Sequence, residues 1–245
     1  MLCYPLLAKK GDGDSIKMPL PQIDVTTFWE KKSEIVAVVF DIKNCPNKDF
    51  LPNFANKITA KNPLQFVELR QDYLWESHCY EVFLAFGNSE NSPYIEINFS
   101  PHGYFNIYHF EGYRKPEQTP PRRLAFADTE LTQWFNVYSV MENQKPILWQ
   151  TSLSRGNGRG LIADLLAPPL PVDKNSHRLL MAVDIALLAK WFGVGLEGAV
   201  WLNACTVYKG GQNQELAYFA PQHAMPPDFH AKKYWLKITP EGFHS

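Results

Sequence analysis

The sequence has no excess of charge of either sign, and this absence limits the partners that we expect. Its 245 residues include 24 lysines and arginines and 25 aspartates and glutamates, so the net charge is -1. Proteins that bind nucleic acid usually carry a basic excess or a basic stripe. The basic residues here form only short, scattered pairs. The composition therefore predicts no nucleic-acid partner.

Long apolar runs are also missing. No stretch approaches the roughly 18 consecutive apolar residues that a membrane-spanning helix needs. The first residues, MLCYPLLAKKGDGD, have no basic segment ahead of an apolar one, although a secretory signal would begin that way. We therefore expect no membrane partner and a cytoplasmic location.

The spacings typical of metal sites are absent as well. The four cysteines lie far apart, and the seven histidines form neither an HxxxH nor an HExxH pattern. Zinc sites usually show such local spacing, so we expect no metal site and no cofactor. Cys79 and Cys205 lie in strand-like runs, which predicts buried free thiols that behave as small apolar side chains.

Glycine is less frequent than proline, with 14 glycines against 19 prolines. Proline interrupts helices and is confined to the ends and edges of strands, so this composition disfavours a helical bundle. Residues 115–123 contain three prolines, and residues 151–160, TSLSRGNGRG, contain three glycines. Both stretches predict loops. The length fits a single domain over residues 1–245, with loop-rich insertions within residues 115–175.

Residues 74–114 are the most informative part of the chain. Apolar and polar side chains alternate in YIEINF, residues 94–99, which places them on opposite faces of a strand. The predicted core face carries Ile95, Ile97 and Phe99. The opposite face carries a phenol, a carboxylate and an amide, those of Tyr94, Glu96 and Asn98. Such a face is normally solvated, and this one suits a sugar-like ligand as well as water.

Short strand patterns cover most of the chain. The apolar run at residues 34–42, EIVAVVFDI, predicts a central strand buried on both faces. Residues 79–86, 94–99 and 104–110 predict an antiparallel meander. Further strands are predicted at residues 64–68, 131–140, 177–185, 199–208, 215–219 and 234–238, with helical turns at 186–192. The pattern predicts an all-β fold, an antiparallel β-sandwich with a few short helical turns.

Several short motifs follow one another in a distinctive order. LWESHCYEVFL (residues 74–84), YIEINFSPHG (94–103) and FEGYR (110–114) are followed by VWLNACTVYKG (200–210) and PDFHAKKYWLKI (227–238). Their order and spacing resemble those of bacterial DOMON-like proteins related to the family 9 carbohydrate-binding module, over about residues 34–239. His78 departs from this pattern, because some branches of the family carry Asp there.

The resemblance implies a jelly-roll-like β-sandwich that binds a ligand on a concave face, and it does not imply catalysis. Its motif positions place three residues in the binding face in addition to those found by alternation, namely Trp75, Tyr113 and Arg114. The Trp-x-x-Asn strand adds Asn203.

Glu81 and Glu96 lie on consecutive predicted strands and can share one face. Glycoside hydrolases use such a carboxylate pair. Alternatively, the two carboxylates hydrogen-bond a ligand, or each pairs with a neighbour such as Arg114, since an Arg–carboxylate pair would order the sheet. The sequence leaves these three alternatives open.

We predict a non-catalytic module that binds a carbohydrate or a similar polar small molecule without a metal or redox cofactor. The alternatives are a glycan-acting hydrolase that uses Glu81 and Glu96, and a protein-interaction module without a small ligand. The predicted ligand-binding residues are Trp75, Glu81, Glu96, Asn98, Tyr113, Arg114 and Asn203, and no catalytic residue is predicted.

Overall fold

The computed structural model describes residues 2–11, 15–30, 34–52, 68–87, 89–124, 135–141, 147–148, 175–196, 199–239 and 242–244. Within these ranges, fourteen strands form two antiparallel sheets, joined by one α-helix and by short 3-10 turns. No helix in this part of the chain is both long and apolar enough to cross a membrane.

The first sheet, sheet A, has six strands. In spatial order they are β1 (Leu2–Pro5), β3 (Gln22–Glu30), β4 (Ile35–Lys43), β10 (His177–Asp184), β8 (Phe135–Met141) and β9 (Ile147–Leu148). The first six residues of β4 are all buried. The prediction of a central strand buried on both faces at residues 34–42 is therefore confirmed.

The second sheet, sheet B, has eight strands. Its main order is β14 (Gly242–His244), β13 (Leu236–Thr239), β11 (Val200–Gly210), β5 (Cys79–Ala85), β6 (Tyr94–Phe99) and β7 (Phe105–Phe110). The strand β11 is long enough to pair with β13 near its start and with β12 (Glu215–Ala220) near its end. The strand β2 (Leu7–Lys10) then pairs with β12. The meander β5–β6–β7 is antiparallel, as predicted.

The main apolar core lies between the two sheets. It is formed by the alternate side chains of each strand that point towards the other sheet, including Val36, Val38 and Phe40 of β4 and Ile95, Ile97 and Phe99 of β6. All six of these side chains are inaccessible to solvent. The predicted antiparallel β-sandwich and the predicted core face of residues 94–99 are confirmed.

The helix α1 (Ile185–Phe192) follows β10 directly, as predicted for residues 186–192. Asp184 caps its first turn, because the Asp184 carboxylate accepts a hydrogen bond from Leu187 N at 3.0 Å. Gly193 ends the helix with a φ of 67°, a left-handed conformation that glycine adopts without steric cost.

Some elements differ from the sequence predictions. The strands β1, β2, β3, β9 and β14 were not predicted, although β3 alternates regularly. The predicted strand at 234–238 begins only at Leu236, because Lys232–Tyr234 forms a 3-10 turn. Residues 64–67, 131–134, 151–160 and most of 115–175 lie outside the described residues, so the predicted strand starts and loop-rich insertions there stay predictions. The single-domain assignment is likewise untested.

Candidate functional site

The face of sheet B that points away from the core carries four polar residues predicted for the site. Cross-strand register places Glu81 of β5 opposite Asn98 of β6, and Phe83 opposite Glu96. Asn203 of β11 lies on the other side of Phe83. Glu81 and Glu96 are therefore diagonal neighbours, with Cα atoms about 7–8 Å apart. We call Glu81, Glu96, Asn98 and Asn203 the polar face.

The polar face is buried. This differs from the solvated face that the alternation pattern of a half-exposed strand led us to expect. The exposed fractions of Glu81 and Glu96 are 3% and 4%, and those of Asn98 and Asn203 are 0% and 2%. Segments that are distant in sequence cover this face: residues 69–76, 112–121 and 227–235. The alternation pattern reports only which way a side chain points, so it could not reveal this cover.

A cavity of about 590 Å³ opens between the polar face and these covering segments. Binding sites for small molecules commonly have volumes of roughly 300–1,000 Å³. The aromatic side chains in its lining are Trp75, Phe110, Tyr218 and Phe229, and the charged or titratable ones are Glu81, Glu96, Arg114, Glu117, Asp228 and His230. The remaining lining residues are Pro116, Gln118, Thr119, Pro121, Val207 and Pro227.

The structure places the seven predicted site residues differently with respect to this cavity. Four of them line it: Trp75, Glu81, Glu96 and Arg114. Asn98 and Asn203 share the same sheet face but do not line the cavity. Tyr113 is 40% exposed and is not part of the lining, and its hydroxyl donates a hydrogen bond to Asp228 Oδ2.

Arg114 pairs with Asp228 and not with Glu81 or Glu96. The Arg114 Nη2 atom donates to Asp228 Oδ1 at 2.9 Å. Burial alone would raise the pKa of Asp228, but the Tyr113 hydroxyl and the Arg114 guanidinium offset it and hold this pKa below its usual value. The alternative in which each carboxylate pairs with a neighbour such as Arg114 stays a prediction, because Arg114 forms its ion pair with Asp228 while its charge still lowers the pKa of Glu81 and Glu96.

Both glutamates of the polar face resist ionisation. Glu96 Oε1 accepts a hydrogen bond from Asn98 Nδ2 at 2.8 Å, and burial raises the pKa of Glu96 to about 7. Burial also raises the pKa of Glu81 well above its usual range, and the neighbouring charge of Glu96 raises it further. Both carboxyl groups therefore hold a proton more tightly than an exposed glutamate does.

His230 lies next to Glu96 but does not form an ion pair with it. Its Nε2 atom is 3.7 Å from Glu96 Oε2, and burial lowers the pKa of His230 to about 3, so the ring is neutral. Tyr94 Oη accepts from Arg114 N at 3.2 Å and lies 2.7 Å from His230 Nδ1. Burial raises the pKa of Tyr94, so its hydroxyl is protonated and we assign it as the donor to Nδ1. The remaining ring proton then lies on Nε2, facing Glu96.

The segment containing Asp228, Phe229 and His230 was missing from the predicted site. The Phe229 carbonyl accepts hydrogen bonds from Asn203 Nδ2 at 3.0 Å and from Trp235 Nε1 at 2.8 Å, which fixes the segment over sheet B. The sequence did contain a signal for this segment, because PDFH at residues 227–230 belongs to one of the motifs that carry the resemblance. The strand patterns alone gave no reason to bring it to β6.

Cys79 and Cys205 are buried free thiols, as predicted. Cys205 lies opposite Glu81 in the register of β11 and β5. Among the residues that the structure describes, no group of three or more His, Cys, Asp and Glu side chains is arranged to hold a metal ion.

Comparisons with known proteins give one structural similarity. No protein-family model matches the chain, and no curated protein matches it in sequence. The chain is similar to the crystal structure of a putative carbohydrate-binding protein from Bacteroides uniformis, with a TM-score of 0.48 and 13% sequence identity. The alignment covers 96% of this chain and 84% of that one. The resemblance to DOMON-like proteins thus stays a prediction.

Proposed function

We propose that the chain is a non-catalytic module that binds a carbohydrate or a similarly polyol-rich small molecule. The observation that carries this proposal is the cavity of about 590 Å³, in which two buried carboxyl groups lie among aromatic side chains. A small-ligand pocket combines apolar walls with a few polar groups that fix orientation. A sugar ring matches both parts, because its C–H faces are apolar and its hydroxyl groups form hydrogen bonds.

Trp75 is the aromatic side chain best placed to stack on such a ring. It lines the cavity, is only partly buried, and packs edge-on against Tyr108 with ring centroids 5.7 Å apart. Arg114 lines the same cavity with a side chain that is 51% exposed, and one of its terminal nitrogens pairs with Asp228. The other guanidinium nitrogens are oriented donors that a ligand oxygen can reach.

The test begins with a glycan array of the purified chain, followed by calorimetric titration of the best ligand. We expect Glu96→Ala and Arg114→Ala to weaken binding by more than tenfold. The matched control is Glu215→Ala on β12, outside the cavity lining. If both cavity variants stay folded and keep affinity within about threefold, under roughly 0.7 kcal/mol, this cavity is not the binding site.

A second candidate, a glycan-acting hydrolase, is favoured by one observation. Burial raises the pKa of Glu96 to about 7 and that of Glu81 well above its usual range, so the pair can hold a proton near neutral pH. Glycosidases use such a pair as base and acid. Against this function, Glu96 Oε1 is already bound to Asn98 and Glu81 Oε1 is fully buried.

Product analysis separates the two functions. The glycan that binds best is incubated with the chain for many hours and analysed by mass spectrometry. An intact glycan supports a binding module, whereas cleavage that disappears in Glu96→Gln supports the hydrolase. Uniformly blank binding across the array favours the third alternative, a protein-interaction module without a small ligand.

A further inference from the structure

The polar face keeps buried hydrogen-bond acceptors without a donor. Asn98 Nδ2 donates to Glu96 Oε1, and Asn203 Nδ2 donates to the Phe229 carbonyl. Three buried oxygens receive no hydrogen bond: Glu81 Oε1, Asn98 Oδ1 and Asn203 Oδ1. Of these three residues, Glu81 lines the cavity. Buried acceptors without a donor destabilise a fold, so a native protein that keeps several in one place often does so for function.

The charged groups that line the cavity also favour a ligand that donates hydrogen bonds and carries a positive charge. Its lining contains four carboxyl groups and one arginine, and that arginine pairs with Asp228. His230 is neutral. Within the described part of the chain, neither Glu81 nor Glu96 forms an ion pair with an arginine or a lysine, although the nearby charge of Arg114 partly offsets the rise in the pKa of both. Both line the cavity and both are more than nine-tenths buried. Burial favours their protonated forms, but a cation placed beside them favours loss of the proton. It would then meet a carboxylate in a poorly hydrated setting, where attraction is strong.

An alkylammonium group matches these features better than a neutral hydroxyl does. It offers three hydrogen-bond donors, no acceptor and a positive charge. The aromatic rings of Trp75, Phe110, Tyr218 and Phe229 around the cavity add the negative π-faces that attract a cation. A neutral sugar hydroxyl would satisfy one acceptor and bring no positive charge to the two carboxyl groups.

We propose that the cavity recognises a positively charged amino group on its ligand, as in an amino sugar, with Glu81 and Glu96 as the acceptors. This inference rests on the proposed function and narrows its ligand class. The ring and hydroxyl groups of the ligand would lie against Trp75 and Arg114 nearer the opening. An inorganic cation would use the same acceptors, so the experiment includes it as a separate arm.

The experiment compares sugars that differ at a single position. Oligosaccharides of glucose, glucosamine and N-acetylglucosamine form one such set, and the galactose and mannose series form two more. Each is titrated calorimetrically at pH 6.5, where the free amine is charged. We expect the amine form to bind at least tenfold more tightly than both partners in at least one set. Equal or weaker binding of the amine form in every set overturns the proposal.

Two variants test whether the preference for the amine form depends on the carboxyl groups in the cavity. Glu81→Gln should bring the amine-to-hydroxyl affinity ratio close to one, whereas Glu215→Gln should leave the ratio unchanged. The amine-to-hydroxyl affinity ratio is more informative than either affinity, because a general loss of structure would weaken the binding of both ligands alike. If Glu81→Gln melts at a much lower temperature than the wild type, Glu96→Gln provides the same measurement. An unchanged ratio in both folded variants also overturns the proposal.

The outcomes separate this inference from the proposed function. Binding of neutral or acetylated sugars without amine preference leaves a carbohydrate module standing and removes only the inference. No binding of any sugar removes both. The last experiment titrates calcium chloride alone into the wild type and into Glu81→Gln. Calcium binding that occurs in the wild type and is lost in Glu81→Gln would identify an inorganic cation as the ligand and overturn the assignment to an amine.

Discussion

Arg114 and Asp228, which are 114 residues apart, form an ion pair with an N–O distance of 2.9 Å. It joins the turn after β7 to the segment at residues 227–230. Asp228 also accepts hydrogen bonds from the Tyr113 hydroxyl and from His230 N. Because Arg114 forms its ion pair with Asp228, it acts on the buried carboxyl groups of Glu81 and Glu96 only at longer range, where it lowers the pKa of both.

A double-mutant cycle on Arg114 and Asp228 tests that role. The Arg114 side chain is about half exposed, so we expect the pair to contribute less than about 1 kcal/mol to the free energy of unfolding in urea. We expect each single alanine variant to weaken ligand binding severalfold, and the double variant to weaken it little further. The control cycle is Arg122 and Glu111, an exposed pair at 3.1 Å outside the cavity lining. Additive losses for Arg114 and Asp228 would contradict their coupling.

Trp75→Ala should weaken ligand binding at least tenfold, about 1.4 kcal/mol, because it removes an aromatic wall of the cavity. The matched control is Trp191→Ala. Trp191 is 37% exposed and packs against His109 and Phe192, away from the cavity lining. Affinity is measured by the same titration for both variants, and a comparable loss in both would mean that Trp75 acts only through general packing.

Glu96 should make the stability of the protein depend on pH. Its pKa is 4.5 in the unfolded reference and about 7 in the folded state, so the folded state keeps a proton that the unfolded chain releases. The stabilisation by this protonated group is therefore complete below about pH 4.5 and is lost as the pH rises to about 7. We expect the wild type to lose on the order of 3 kcal/mol relative to Glu96→Gln across that window.

Urea unfolding of both proteins at pH values from 4.5 to 8 measures this difference. The folded His230 ring stays neutral across this range, because burial lowers its pKa to about 3, and its protonation in the unfolded chain is common to both proteins. Glu81 and Arg114 also face Glu96, and both remain in the variant. Parallel stability curves for the two proteins would show that Glu96 ionises normally when folded.

Tyr94→Phe should cost about 1–3 kcal/mol of folding free energy. Tyr94 is fully buried, and its hydroxyl bridges Arg114 N and His230 Nδ1. Removing it leaves both groups without that partner. Tyr113→Phe is the matched control, since the Tyr113 hydroxyl binds Asp228 at a side chain that is 40% exposed, where water can replace it. Equal costs in the two variants would contradict the structural role of Tyr94.

Local sequence patterns determined the strands and their faces. The alternation in residues 94–99 correctly separated Ile95, Ile97 and Phe99 from Glu96 and Asn98, because side-chain direction along a strand depends only on backbone geometry. The apolar run at residues 34–42 correctly predicted the buried strand β4 for a similar local reason. The turn-separated runs gave the antiparallel meander.

The burial of the polar face and the partners of its charged groups were decided only by the tertiary structure. Glu96 is buried because segments from residues 69–76, 112–121 and 227–235 close over β6, and no period in the sequence encodes such contacts. The pairing of Arg114 with Asp228 and the raised pKa of Glu96 both follow from that closure. The sequence alone determined which side chains share a face of sheet B, whereas long-range packing decided that this face encloses a cavity, because desolvation depends on what covers a group.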